Sequence, residues 1–523
     1  MKTDKVINWS NSKRDLLLLL CLSPILKVSI ALFTDVINSD GVLYLAAAQK
    51  IARGDFKAAL AIYKMPFYPL LIALVHYVVP NWIAAARLIS LVTSVLTVIP
   101  LYLLTKDLFD RKVALWCSAA FAISPLPNLL SVEVIRDPPY LFFFAWAIYF
   151  IQYAIRSKRP QHFLLASVFS SLSVLCRLEG VILFPCSIVF IVYLTLRKPK
   201  DRFVLLRGLS IYVIFPVLVF GIASLALQAR VNNLPATMEY FNRVEDITGP
   251  LKALYGLKFL ENYHLLYDKL EIFEQLLSFK RGDKYFIELI RHYMPAIYFI
   301  GFLEALIKAV FLPFVLPLGL GLKSSKARNS AFLVFLVSCY LLMLYYALIL
   351  RGHTRVRILL APAFILYPWI GAGMQRAVNI FRQGTWKRYL VITLTFLLGV
   401  LSVYQSVDIL WKQDDVTLRA GTWLKERSEF QTAKILTTDP RVPFYAGRGE
   451  YYTHYQTYDF SVIGKVALRI KADLLIIRMS KKRGPPSPNI SEFFKIKEFV
   501  GVKDVVSLYI SPKLHRAIKD KKL

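Results

Sequence analysis

Phe33-Thr34-Asp35-Val36-Ile37-Asn38-Ser39-Asp40-Gly41-Val42-Leu43-Tyr44 begins where the first long apolar run of the chain ends. Its acids therefore sit at a membrane–water boundary. Carboxylates are costly in hydrocarbon, so those at such a boundary are held for a task or solvated in a loop. From Leu43 to Ala52 the residues are helix formers, with Leu43, Ala46, Ala47 and Ile51 along one side and Gln49, Lys50 and Arg53 along another. This pattern predicts a short amphipathic helix lying on the bilayer. Gly54 ends it, and Pro66 and Pro69 shape the return into the membrane. An acid (Asp40) beside an interfacial helix and a cation (Lys64) suits work on a lipid that carries a phosphate. Asp35, five residues before Asp40, is the competing acid.

Working outward, the 523 residues are 56% hydrophobic and only 19% charged, with a mean hydropathy of +0.50. That excludes a soluble enzyme. About eleven apolar runs reach spanning length, near residues 16–34, 83–104, 113–131, 138–155, 162–178, 180–196, 208–228, 295–321, 331–350, 357–375 and 389–410. The formal charge of +31 does not signal nucleic acid, because the basic residues gather in short loops between runs. Lys13/Arg14, Lys106/Arg111/Lys112, Arg156/Lys158/Arg159, Arg197/Lys198/Lys200/Arg202, Lys323/Lys326/Arg328 and Arg382/Lys387/Arg388 recur on one side. This positive-inside pattern places the N-terminus in the cytoplasm and, with an odd count, the C-terminal segment outside. All five cysteines lie in or beside apolar runs, and no Cys/His cluster has zinc-ligand spacing.

The outer loops carry the remaining candidates. Arg87, near the outer end of the second run, reads as a side chain snorkelling to water. Glu133, Arg136 and Asp137 fall in one short loop before Pro138-Pro139. Asp137 suits an N-cap for the next helix, yet it shares a membrane face with Asp40, so both it and Glu133 are candidates for the chemistry. Arg177 and Glu179 flank the next outer junction and suit a pair or solvent. Glu304 and Lys308, four apart in the eighth run, read as a buried structural pair. Arg351, His353, Arg355 and Arg357 place an Arg cluster on the outer side against the charge trend. Forked guanidinium donors match phosphate oxygens, and Arg355 is the best placed. Past residue 410, a helix (Val416 to Arg427) alternates with strands at Lys434–Thr438, Asp473–Ile477 and Asp504–Ile510, which predicts a small α/β domain over 411–523.

The opening stretch also carries a resemblance. Asp40-x-x-x-Tyr44, Gly54-Asp55 and Lys64-x-Pro66 resemble the first extracytoplasmic loop of multi-spanning glycosyltransferases with the GT-C fold. The nearest are the protein O-mannosyltransferases and the aminoarabinose transferases of lipid A. In that family an Asp-Glu pair opens the loop; here Gly41 stands in place of the Glu. The resemblance implies a GT-C membrane domain over 1–410, with extracytoplasmic loops at 35–80 and 229–294, the second a lid over the site. It implies that Asp137 lies beside the catalytic acid, that Arg177 helps hold a phosphate, and that Tyr445-Ala446-Gly447-Arg448 belongs to the outer domain. It further implies a bacterial or archaeal cell-membrane enzyme moving a sugar, with inversion, from a polyprenyl-phosphate donor to a hydroxyl on protein, lipid or glycan. No cofactor is required by the sequence, although a divalent cation is compatible with it. The rival reading is a transporter or lipid flippase, but such proteins hold ionisable groups near the bilayer midplane in repeated halves. Here the informative charges sit at run ends on one face, and no internal repeat is visible.

Overall fold

The computed structural model describes residues 9–230, 281–323, 330–351, 355–381, 389, 393, 397–406, 415–449, 452–455, 462–481, 490 and 492–520. The helices at the front of the chain are α1 (Trp9–Leu32), α2 (Ser39–Ala52), α3 (Phe56–Ile62), α4 (Phe67–His76), α5 (Trp82–Leu96) and α6 (Val98–Leu108). They are followed by α7 (Arg111–Ile123), α8 (Pro125–Leu130), α9 (Asp137–Ser157), α10 (Pro160–Cys176), α11 (Leu183–Arg197) and α12 (Arg202–Arg230). Further helices cover Arg281–Val310, Val315–Leu322, Ala331–Arg351 and Leu360–Phe381.

Among the described residues, eight helices are long and apolar enough to cross a membrane, and the chain is a multi-pass membrane protein. The expected runs differ from the helices in identifiable ways. The run at 113–131 is broken at Ser124, whose backbone is extended, because Pro125 forbids a helical residue before it. The run at 295–321 stops at Val310, and Phe311 turns with a φ of 79° before a second helix starts at Val315. The run at 162–178 is α10, 17 residues long, which packs along α9. Buried Ser167 and Ser170 bond Tyr212 of α12 through its carbonyl and its hydroxyl, at 2.7 and 3.0 Å. Glu304 and Lys308 do pair, at 2.5 Å, but each is more than half exposed and the pair is not a buried one. The expected lid falls largely outside the described residues.

By contact the chain divides into two compact units. One comprises Met1–Leu26, Leu91–Ser131 and Arg136–Val403; the other comprises Lys27–Ser90, Val132–Ile135 and Tyr404–Leu523. The second unit thus joins the opening loop to the C-terminal segment instead of dividing near residue 410.

Its C-terminal part is a five-stranded sheet of β1 (Ile435–Thr437), β2 (Tyr452–His454), β3 (Leu474–Ser480), β4 (Phe494–Val500) and β5 (Asp504–Ile510), in the order β2-β1-β3-β5-β4. β2 and β3 run parallel to β1; β5 is antiparallel to β3 and β4. The strands' alternation sorts side chains to two faces. Ile435, Leu474, Ile476 and Leu508 pack with Val416, Ala420 and Leu424 of the helix Val416–Lys425. Leu436, Leu475 and Ile477 pack on the opposite face with Ile463 and Ala467 of the helix Ile463–Arg469. The small α/β domain expected from the sequence is present, with helices on both faces.

An ion network closes the end of β1. Buried Asp439 accepts from Arg441 Nη2 at 2.6 Å and Arg478 Nη1 at 2.8 Å, and Arg478 Nη2 continues to Asp504 at 2.5 Å. Burial opposes the Asp439 charge, but the bonds from Arg441 and the field of Arg478 outweigh it and hold the carboxyl below its usual range. A depressed folded value stabilises the domain above the unfolded value, roughly pH 4. That stabilisation is lost as pH falls through the folded value. Asp439→Asn should lower the unfolding free energy of the domain at neutral pH by about 1.5–3 kcal/mol, the range for a charged hydrogen bond. It should also flatten the acid limb of stability against pH. An unchanged acid limb, read by unfolding followed at Trp423, would assign that limb to other carboxylates.

Candidate active site

α1 ends where Thr34 Oγ1 donates back to the Ile30 carbonyl at 2.8 Å. The chain then runs extended to Asn38, which caps α2: its Oδ1 accepts the Gly41 N–H at 2.7 Å. This is the ordinary solution for an orphan helix N–H. α2 begins at Ser39, four residues before the predicted start, because Asn38 caps an added first turn that buries Gly41 and Val42. Asp40 stands partly buried in that first turn, where helix N–H groups favour negative charge. Asp35 is exposed and lies outside the helix.

The cap is itself held. Asn38 Nδ2 donates to Glu133 Oε2 at 2.6 Å and to the Val134 carbonyl at 3.0 Å. Glu133, expected among the catalytic acids, is thus engaged with the residue that starts the Asp40 helix. The same contact explains Gly41. A Cβ there would stand 3.1 Å from Val134 Cβ and 3.2 Å from its carbonyl oxygen, so a side chain at 41 would require Val134 to give by a few tenths of an ångström. One turn along α2, buried Tyr44 meets the rings of Tyr63 and Tyr68 edge-on, with centroids 4.9 and 5.2 Å away. Lys64 follows Tyr63 and is partly buried. Asp55 caps α3 through the Ala58 N–H at 3.0 Å, after Gly54 turns the chain at a φ of 80°.

Arg87 departs from the snorkelling expectation. Its Nε and Nη2 are buried and make no hydrogen bond. Burial opposes its charge, and the carboxylates Glu133 and Asp35 are the anionic groups that act on it. One turn further along α5, Ser90 donates to the Ile135 carbonyl at 3.2 Å, so this face of α5 is turned to the 132–135 loop.

In the other unit, the N-cap expectation for Asp137 gives way. Arg136 is the residue before α9, with no side-chain cap bond, and Asp137 is 2% exposed. Its Oδ1 accepts from Arg177 Nη1, while Arg177 Nη2 donates to Glu179 at 2.7 Å. The Tyr140 ring lies 5.8 Å from the Arg177 guanidinium, and the Tyr340 hydroxyl donates to the Glu179 carbonyl at 2.9 Å. Carboxylates of the chain therefore occupy the guanidinium that the resemblance gave to a phosphate. Arg355 is exposed and extended, opening a short turn at Val356–Leu359 in which Arg357 is partly buried. Arg351 ends the helix Ala331–Arg351; His353 lies outside the described residues. Among the described residues no three His, Cys, Asp or Glu side chains gather as a metal site would require.

A crystal structure of the Archaeoglobus fulgidus oligosaccharyltransferase in complex with zinc and sulfate superposes with a TM-score of 0.56 at 12% identity. The match covers 95% of this chain and 75% of that one. An archaeal oligosaccharyltransferase, AglB, from the same organism, in complex with an inhibitory peptide and a dolichol-phosphate, gives 0.51 at 12% identity over 89% and 69%. The fold is GT-C. ArnT from Cupriavidus metallidurans in the apo state gives 0.49 at 10% identity, over 95% of this chain and 98% of its own. The family described as dolichyl-phosphate-mannose-protein mannosyltransferase matches residues 63–220 of this GT-C chain. That segment includes Lys64, Arg87, Glu133, Asp137 and Arg177 and starts after the Asp40 helix. No curated protein sequence matches the chain.

Proposed function

We propose that this GT-C protein transfers a sugar from a polyprenyl-phosphate donor to a hydroxyl acceptor on the extracytoplasmic face, with inversion at the anomeric carbon. The observation that carries the reading is Asp40, partly open in the first turn of a helix whose cap is fixed from a second loop. The acceptor oxygen attacks the anomeric carbon as Asp40 takes its proton. The bond from that carbon to the phosphate oxygen breaks, and its electrons leave with the phosphate. General-base and cationic stabilisation are the two contributions such a step needs. Arg87 and Lys64, in the same unit as Asp40, are the cations we assign to the departing phosphate; Arg355, in the other unit, is tested separately. The dolichol-phosphate seen with AglB supports a lipid phosphate as the leaving group's form. The GT-C fold favours the enzyme over a transporter.

Transfer is tested with purified protein in liposomes, polyprenyl-phosphate-linked sugars as donors and released polyprenyl phosphate as the readout. Absence of release with every donor and hydroxyl acceptor tried would defeat the reading. Arg355→Ala should weaken donor binding by about 1.5–3 kcal/mol, the range for a charged hydrogen bond. Arg355→Lys should recover part of it, since charge is kept and the fork lost. Parental donor affinity in the Ala variant would make the outer Arg cluster an anchor to lipid headgroups.

A further inference from the structure

We infer that Tyr445, in the C-terminal segment, is a positioning residue for the opening loop: its phenol oxygen fixes Ile37, and through Asn38 the start of the helix that carries Asp40. The Tyr445 hydroxyl oxygen accepts the Ile37 N–H at 2.8 Å. Ile37 is 1% exposed, so that N–H has no access to bulk water and depends on the bond. The next residue, Asn38, is the cap. Phe444 and Tyr445 also pack on the apolar cluster of Ile37, Val42, Tyr44 and Val134, so contact and hydrogen bond arrive from the same short helix, Arg441–Tyr445.

That helix is fixed from behind. Gly421 of the helix Val416–Lys425 lets it approach so closely that a Cβ at 421 would stand 2.4 Å from Tyr445 Cβ. At its other end Arg441 is bonded to Asp439, which Arg478 ties to Asp504 of β5. The line from β5 to Ile37 is therefore made of side chains each with a bonded or packed neighbour. Burial pushes the Tyr445 phenol above its ordinary value, so it remains neutral at working pH. The consequence for catalysis rests on the function proposed above; the mechanical link does not.

The test uses the full chain with Tyr445→Phe, which keeps the ring and removes only the oxygen, and Phe444→Leu, which trims the same packing and leaves the bond. Amide exchange is read over residues 33–44 and over β1 and β3, alongside kcat and donor KM. Tyr445→Phe should speed exchange at Gly41 and Val42 roughly tenfold, the scale of one orphaned buried N–H. Exchange at Ile435 and Leu475 should stay parental, kcat should fall by a similar factor, and KM should hold. Phe444→Leu should leave Gly41 and Val42 unchanged. Parental exchange at Gly41 and Val42 in Tyr445→Phe, equal effects in both variants, or faster exchange with parental kcat would each overturn the inference. If the parent protein transfers no sugar, the proposed function fails, while the exchange rates still decide the link.

Discussion

Asp40→Asn should lower turnover by about 10²–10⁴, the contribution of a positioned general base, with donor affinity unchanged. The amide keeps the shape of the carboxylate in the first turn of α2 but cannot take the acceptor's proton. Because the Asn38 cap and its bond to Glu133 do not involve the Asp40 side chain, the helix start should survive the change. Asp35→Asn, run beside it, should retain most activity, since Asp35 is exposed and stands before the cap. Loss in the Asp35 variant with near-parental turnover in the Asp40 variant would move the base to Asp35. Activity in both would remove the opening loop from the chemistry.

Arg177→Met should destabilise the membrane unit by about 3–5 kcal/mol, the cost of leaving a buried charge without its partner. Asp137 bears most of that cost, being 2% exposed, whereas the Glu179 side chain is 28% exposed and can turn toward water. Adding Asp137→Asn to Arg177→Met should therefore recover a large part of the stability, as it removes the stranded charge. Denaturant unfolding in detergent, followed through the tryptophans, measures both. An Arg177→Met protein with parental stability and weakened donor binding would return this arginine to the lipid phosphate.

The opening stretch could be read because its signals are local. A hydropathy break and an acid stand within eight residues, whereas the Asn38 cap carries no apolar signal, so the helix is expected four residues too late. The sheet was legible where strands are buried on both faces, as in Leu474–Ile477 and Val505–Ile510. β4 was not, because Lys495, Lys497 and Glu498 give an exposed edge strand the look of a loop. The break at Ser124 was visible in Pro125-x-Pro127 but was outweighed by the apolar count around it. The pairing of Asp137 with Arg177 spans 40 residues, and nothing in either local pattern distinguishes an ion pair from a cap or a phosphate ligand. For Arg87, composition could not tell a head in water from one turned inward, since the apolar neighbours are the same in both cases.

The bond between Ile37 and Tyr445 joins residues 408 positions apart. At a synthesis rate of about 5–20 residues per second, the Ile37 amide waits roughly 20–80 s for its acceptor. During that interval the loop bearing Asp40 has already left the ribosome without the contact that fixes its start. A chain truncated before Tyr445 would keep the Asn38 cap and its bonds to Glu133 and Val134 but lack the acceptor for the Ile37 amide. The order of biosynthesis therefore leaves the start of the Asp40 helix to gain its Tyr445 contact late, once the C-terminal segment is made.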